Sequence, residues 1–278
     1  MIIFCTSLEP VNYFNNFYPK IKMIGLGNYL FQKPWISINK GKNISHKFYS
    51  YADLTAQYFV WKNFLQKYNK NDWIGFAQYR RFWIKKIINK EYPIDKLEDL
   101  ILTKPDCTWK NYEAVIPSPF FFRNRITKIT KNFLLLKFLK DLNSIKYKVS
   151  VLTQFEQSLG YGGKDIIVEI IKMLPVEHQI KFKNFLNDRN YLSAHGMYIS
   201  KKEIIENYSN ILFNWFLKCE NILNKRNDLP LIKNKRIFQY INERFLDYWM
   251  SSNLKVIRWP IAMYNVEKKK IIPIGTNI

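Results

Sequence analysis

"SYADLTAQYFVWKNFLQKYNKNDWIGFAQYRRFW", residues 50–83, decides the fold. Leu54, Tyr58, Trp61 and Leu65 recur at helical spacing, so the first part reads as a helix. Ser50 and Asp53 make a capping-box-like start for it. "NKND" reads as a turn. "WIGFAQY" is short and apolar and reads as a buried strand over Trp73–Ala77. That strand ends in Gln78, Tyr79, Arg80 and Arg81. Upstream, "MIIFCTS" reads as a first strand. Strand, helix, strand in that order argues for a parallel α/β core.

Outward from this stretch, residues 8–48 are rich in Asn, Gly, Pro and Lys and read as an irregular excursion. "YPIDKLEDLIL" reads as a helix, and "EAVIPSP" as a strand halted by Pro117 and Pro119. "GKDIIVEIIKML" and "HQIKFKNFL" read as helices, "GMYIS" as a short strand. "KKEIIENYSNILFNWFLKCENIL" is a long amphipathic helix. "RIFQYINERFLDYWM" is a helix with Phe238, Ile241, Phe245 and Trp249 as its apolar stripe. Tyr240, Glu243 and Asp247 fall on another face. "KVIRWPIAMY" closes as a strand. The expectation is one α/β domain over residues 1–278, with a mainly parallel central sheet and a helical C-terminal half.

With 47% hydrophobic and 17% aromatic residues, the chain is globular and not disordered. No apolar run reaches the roughly 18 residues of a spanning helix. The N-terminus lacks a basic region and a small-residue cleavage site, so the expected location is cytoplasmic. Cys5, Cys107 and Cys219 stand far apart and form no disulfide framework. Lys and Arg number 44 against 22 Asp and Glu, a net charge of +22. Such a surplus favours polyanionic partners: nucleic acid, anionic lipid or phosphorylated substrates. An AT-rich genome, which favours Lys, Asn and Ile, would equally account for part of the same charge.

Arginine presents a planar fork that suits phosphate oxygens. Arg80 and Arg81 lie at the carboxyl end of a strand, where open α/β sheets bind ligands. Pairing with carboxylates or plain exposure would equally account for them. Glu243 and Asp247 are one helical turn apart, so mutual repulsion would raise one pKa and make a base. A solvated face beside Arg236 and Arg244 is the alternative. His195 stands beside Gly196, just before a strand. There is no H-E-x-x-H, Walker loop or G-x-G-x-x-G. "GLGN" (25–28) and "GYGGK" (160–164) read as turns. No D-x-D ends the 73–77 strand.

"GKNISHKFYSYADLTAQYFVWKN" followed by "NDWIGFAQYRRFW" resembles a family pattern: N-I-S, a Tyr-x-Glu-Leu-Thr helix with W-x-W-K-N, then D-Y-I-G-x-x-H-Y-R-R. "GMYIS" and "YINERFLDYW" resemble the family's later N-M-F-I-M strand and Y-I-x-E-R-L-L helix. The family is that of bacterial capsular polysaccharide synthesis proteins, first catalogued as a domain of unknown function and regarded as glycosyltransferases. The resemblance implies a GT-A-like, Rossmann-like fold and a nucleotide-sugar donor, UDP-linked, in a hexosyltransferase. The implied acceptor is a capsule or lipopolysaccharide glycan. It points to Asp53, Tyr79, Arg80, Arg81, Glu243 and Arg244. The family's histidine before Y-R-R is Gln78 here, and its helix glutamate is Asp53. Glutamine hydrogen-bonds but does not titrate.

The reading from sequence is therefore a glycosyltransferase. Arg80 and Arg81, with Gln78 and Tyr79, would hold the donor diphosphate. Glu243 would be the base, with Asp247 in reserve, and His195 would line the acceptor site. A divalent metal, Mn or Mg, is left open. The charge would hold the protein on the anionic inner face of the plasma membrane, near a lipid-linked acceptor. One rival is a nucleic-acid-binding protein, through basic and aromatic stretches such as "NYEAVIPSPFFFRNRITKITKNF". No recognised binding motif supports it, so no specific nucleic acid is expected. The other is a non-catalytic assembly partner that keeps the fold.

Overall fold

The computed structural model describes residues 1–27, 29–125, 146–159, 163–223 and 236–274. The apolar N-terminus forms β1 (Ile2–Ser7), which is flanked on both sides by parallel strands. On one side lies β2 (Ile21–Gly25), followed outward by β3 (Ile36–Ser37), again parallel. On the other side lies β4 (Trp73–Gln78). The chain thus runs outward from β1 through β2 to β3, then returns to the far side of β1. That reversal creates a topological switch point between β1 and β4.

Beyond β4 come three more strands. These are β12 (Tyr198–Lys201), β7 (Ala114–Pro117) and β13 (Val256–Trp259). Only β12 runs antiparallel to its neighbours on this path, among the described residues. The central path is mainly parallel, as expected. An antiparallel extension grows from the end of β4. It runs through β5 (Arg81–Trp83), β14 (Ile261–Asn265), β15 (Lys270–Pro273) and β6 (Tyr92–Pro93). Phe4 of β1 stacks on Phe76 of β4 with ring centroids 6.2 Å apart, and both are buried. Each such side chain contributes about 1.5–3 kcal/mol by leaving water.

Four local expectations need correction. The excursion at 8–48 contains β2, whose buried Ile21, Met23 and Ile24 sit next to β1; surrounding Asn and Lys masked this short run. The helix over 50–68 is broken. It consists of α1 (Phe48–Tyr51) and α2 (Leu54–Asn63), separated by Ala52 at φ 46. "YPIDKLEDLIL" supplies β6 and only a short α3 (Leu97–Leu100). "KVIRWPIAMY" is two strands, because Pro260 cannot donate to a ladder. After it the chain leaves β7's side and pairs with β5.

The chain divides into two compact units. The sheet above belongs to the first, Met1–Pro119 with the described residues from Ser193 to Ile274. The first also holds α7 (Lys202–Leu223) and α8 (Ile237–Asn253). Helix α8 buries its apolar stripe as expected, and it also buries Arg244 and Asp247. The second unit is Phe120–Leu192. In it β8 (Phe120–Phe121) pairs with β11 (Tyr191–Leu192), and β9 (Arg123–Arg125) with β10 (Lys146–Lys148). Helices α4 (Val151–Leu159), α5 (Gly163–Ile171) and α6 (Val176–Asp188) complete it. Ile166, Ile167, Ile170 and Ile171 recur at helical spacing and are buried there. The glycine run 160–162, the basic loop 224–235, Asn28 of "GLGN" and most of the basic 120–150 stretch lie outside the described residues. Among the described residues no helix is long and apolar enough to cross a membrane.

Candidate functional site

Thr6 and Gln78 are register partners across the parallel β1–β4 pair. Both reach Asp53, at the start of α2. Thr6 Oγ1 donates to Asp53 Oδ1 at 3.0 Å, and Gln78 Nε2 donates to Asp53 Oδ2 at 2.6 Å. Asp53 makes no side-chain cap on α2, which corrects the capping-box expectation; its carboxylate is turned to the strand ends instead. Gln78 Nε2 also donates to the His195 carbonyl at 3.2 Å, while Gln78 Oε1 accepts from Arg81 Nη1 at 3.1 Å. Acceptors on one side and a donor on the other fix the orientation of the amide.

Gln78 and Arg81 pair across a tight hairpin whose tip is Tyr79–Arg80. The Tyr79 N–H donates to the Thr6 carbonyl at 2.8 Å, and Tyr13 Oη donates to the Tyr79 carbonyl at 2.9 Å. The Arg80 carbonyl accepts from the Tyr264 N–H at 2.8 Å. The hairpin backbone is pinned, Arg80 is exposed, and Arg81 is half-buried.

Beside Gln78 the chain turns through His195 (φ 79) and Gly196 (φ 60), both left-handed. A Cβ at residue 196 would meet Gln239 Nε2 at 2.8 Å, so glycine lets α8 approach closely. Helix α8 grips this turn with two carboxylates. The Ser193 N–H donates to Asp247 Oδ2 at 2.7 Å, and the His195 N–H donates to Glu243 Oε1 at 3.1 Å.

These elements enclose a cavity of about 510 Å³. Thr6, Asp53 and Gln78 lie on one side, with Arg80, Arg81, Arg236, His195 and Glu243 around them. Burial raises the Asp53 carboxyl above its ordinary range, opposed by the Thr6 bond, Arg236, the Gln78 bond and Arg81. Burial also raises Glu243, opposed by Arg244, the His195 N–H and Arg81. Asp247 is not the cause, contrary to the repulsion expected from spacing. Burial lowers Arg81, and Glu243 is the largest force acting against that. Burial and then Arg81 push the His195 imidazole down to about 3, so it is neutral near pH 7.

The structure therefore brings together Asp53, Gln78, Tyr79, Arg80, Arg81, His195 and Glu243. Two expected residues stand apart from this cavity. Asp247 is fully buried, with Arg258 Nη2 at 3.1 Å from Oδ1 and Ser251 Oγ donating at 3.0 Å. Arg244 is buried too; its Nη1 donates to the Tyr240 carbonyl at 2.7 Å and lies 3.6 Å from Glu243 Oε2. Burial lowers that guanidinium to about 10. Thr6, Arg236, Gln239 and Tyr240 line the cavity and were not foreseen. The last three share helical spacing with Glu243, a signal the sequence does carry. Thr6 needs the β1–β4 register.

A second cavity, about 760 Å³, shares Tyr79 with the first. Phe31 and Trp35 stack in its wall at 4.9 Å, and Tyr13 meets Tyr264 at 5.0 Å. Among the described residues no group of three or more His, Cys, Asp or Glu is placed to hold a metal ion. In the first cavity each Asp53 oxygen accepts a hydrogen bond, and Glu243 is set between an N–H and a guanidinium group.

The fold matches that of a WbbM bifunctional glycosyltransferase in its apo structure, with a TM-score of 0.67 and 21% identity. The match covers 94% of this chain and 44% of that chain, so the present chain spans less than half of that protein. The likeness establishes a shared α/β fold. Among curated proteins none matches the sequence. Residues 13–254 match the family described as a domain of unknown function (DUF4422), and the chain belongs to that family.

Proposed function

We propose that the protein is a glycosyltransferase that moves a hexose from a nucleoside-diphosphate donor, UDP-linked, to a hydroxyl on a capsule or lipopolysaccharide glycan. One observation carries the reading. Arg80, Arg81 and Arg236 converge beside Gln78 at the β1–β4 switch point, with a carboxyl of raised pKa, Glu243, in the same cavity. The cations suit a diphosphate, and the adjoining aromatic cavity suits a nucleobase.

In this reading Glu243 takes the proton of the acceptor hydroxyl as its oxygen bonds to the anomeric carbon. The bond from that carbon to the diphosphate breaks, and the electron pair leaves with the diphosphate. Arg80 and Arg81 stabilise the developing charge. Gln78 moves no proton; it holds Arg81 in place. A single base at the attacking oxygen favours inversion. The net charge of +22 favours an anionic membrane surface on the inner face, where a lipid-linked acceptor would be met.

The test is calorimetry and thermal shift with UDP, GDP and UDP-hexoses, with and without Mn²⁺. Binding of a nucleoside diphosphate is expected. No response to any of them, with tight salt-dependent binding to oligonucleotides instead, would sink the reading.

A further inference from the structure

Gln239 stands in the first turn of α8, one turn before Glu243, and lines the same cavity. The residue is only 7% exposed, and its Oε1 has no hydrogen-bond partner among the described residues. A buried polar group left unsatisfied costs about 1–3 kcal/mol, and native folds keep few of them. The side chain is held close to the chain at Gly196, where an added Cβ would meet Nε2 at 2.8 Å. Its Oε1 is therefore preplaced and idle.

Anionic chemistry in the cavity is already answered by Arg80, Arg81 and Arg236. A neutral carboxamide offers a donor and an acceptor side by side. Ionised phosphate oxygens only accept, whereas a sugar hydroxyl both donates and accepts. The group that matches Gln239 is thus a hydroxyl. Resting on the transferase reading above, we propose that Gln239 is a sugar-specificity residue whose carboxamide hydrogen-bonds a hydroxyl of the sugar bound in this cavity. Donor hexose and acceptor sugar carry the same chemistry, and the experiment separates them.

Gln239→Met keeps the length of the side chain and deletes both hydrogen-bonding groups. Because it removes an unsatisfied buried group, Tm should hold or rise. Calorimetry would compare UDP, which lacks the sugar, with UDP-glucose and UDP-galactose; transfer to octyl glucoside and octyl galactoside would report on the acceptor. If Gln239 reads the donor, UDP affinity stays within about twofold, while affinity for the preferred UDP-hexose falls roughly tenfold, the weight of one or two neutral hydrogen bonds. If it reads the acceptor, both affinities hold and KM for the glycoside rises by a similar factor. Folded Gln239→Met with unchanged donor affinity and unchanged acceptor KM overturns the assignment. So does an equal loss for UDP and UDP-hexose, or a lowered Tm with activity lost in proportion. Wild-type protein that binds neither UDP nor UDP-hexose overturns the transferase reading itself, and the assignment with it.

Discussion

Gln78 and Asp53 are joined at 2.6 Å, and the same glutamine holds Arg81 at 3.1 Å. One amide therefore links the start of α2, the end of β4 and the first residue of β5. Gln78→Leu strips a donor from Asp53, an acceptor from Arg81 and a partner from the His195 carbonyl. A loss of about 1–3 kcal/mol in unfolding free energy is expected. UDP affinity should fall as well, because Arg81 is no longer held. Urea titration and calorimetry on the same preparation check both; unchanged affinity would mean that Arg81 needs no such support.

Glu243→Gln separates a base from a structural carboxylate. The Gln oxygen can still accept the His195 N–H, so the turn should keep its shape. Burial raises the Glu243 pKa above its ordinary 4.5. A raised carboxyl contributes stability that is full below 4.5 and is lost as pH climbs through the folded value. The amide removes that loss, so the variant should be the more stable protein above that pKa. Turnover should drop by about 10²–10⁴. In the wild type the acidic limb of kcat should lie above 4.5, and in the variant it should vanish. A pH–rate profile with unchanged kcat would exclude Glu243 as the base.

Parts of this arrangement are legible in sequence because they are local. The apolar run Trp73–Ala77, the paired arginines after it and the helical stripe of α8 follow from composition and period. The β2 strand is not legible, since five residues between Asn- and Lys-rich segments carry too little pattern. Thr6 is invisible for another reason: it matters only through its register with Gln78, 72 residues downstream. The spacing of Glu243 and Asp247 was readable, but their roles were not. Burial and partners differ across one turn, and both come from elements distant in the chain.

His195 gives a pH test of the folded site. Its imidazole is held near 3, against an ordinary 6.5, by burial and Arg81. Between those values the unfolded chain binds a proton that the folded chain refuses. Its contribution therefore falls as pH drops from 6.5 toward 3 and is full above 6.5. The slope from one such group is at most about 1.4 kcal/mol per pH unit. Asn tolerates the left-handed φ of 79 at this position. His195→Asn should flatten the rise in stability between pH 4 and 6.5, read as urea midpoints. An identical slope in both proteins would show that the imidazole is protonated in the folded state.

Asp247 should behave in the opposite way to Glu243. It is fully buried and ties α8 to Arg258 of β13 and to the Ser193 backbone. Asp247→Asn removes the negative charge beside Arg258 while leaving an oxygen for the Ser193 N–H. Breaking a buried ion pair from one side costs about 3 kcal/mol, somewhat less here because Arg258 is partly exposed. The variant should melt several degrees lower yet keep near wild-type kcat per folded molecule at 20 °C. The pairing of results is the diagnostic: Glu243→Gln loses turnover and keeps stability, Asp247→Asn loses stability and keeps turnover. If Asp247→Asn instead kept its stability and lost turnover, Asp247 would have to act in the chemistry, and its distance from the cavity would have to close during the reaction.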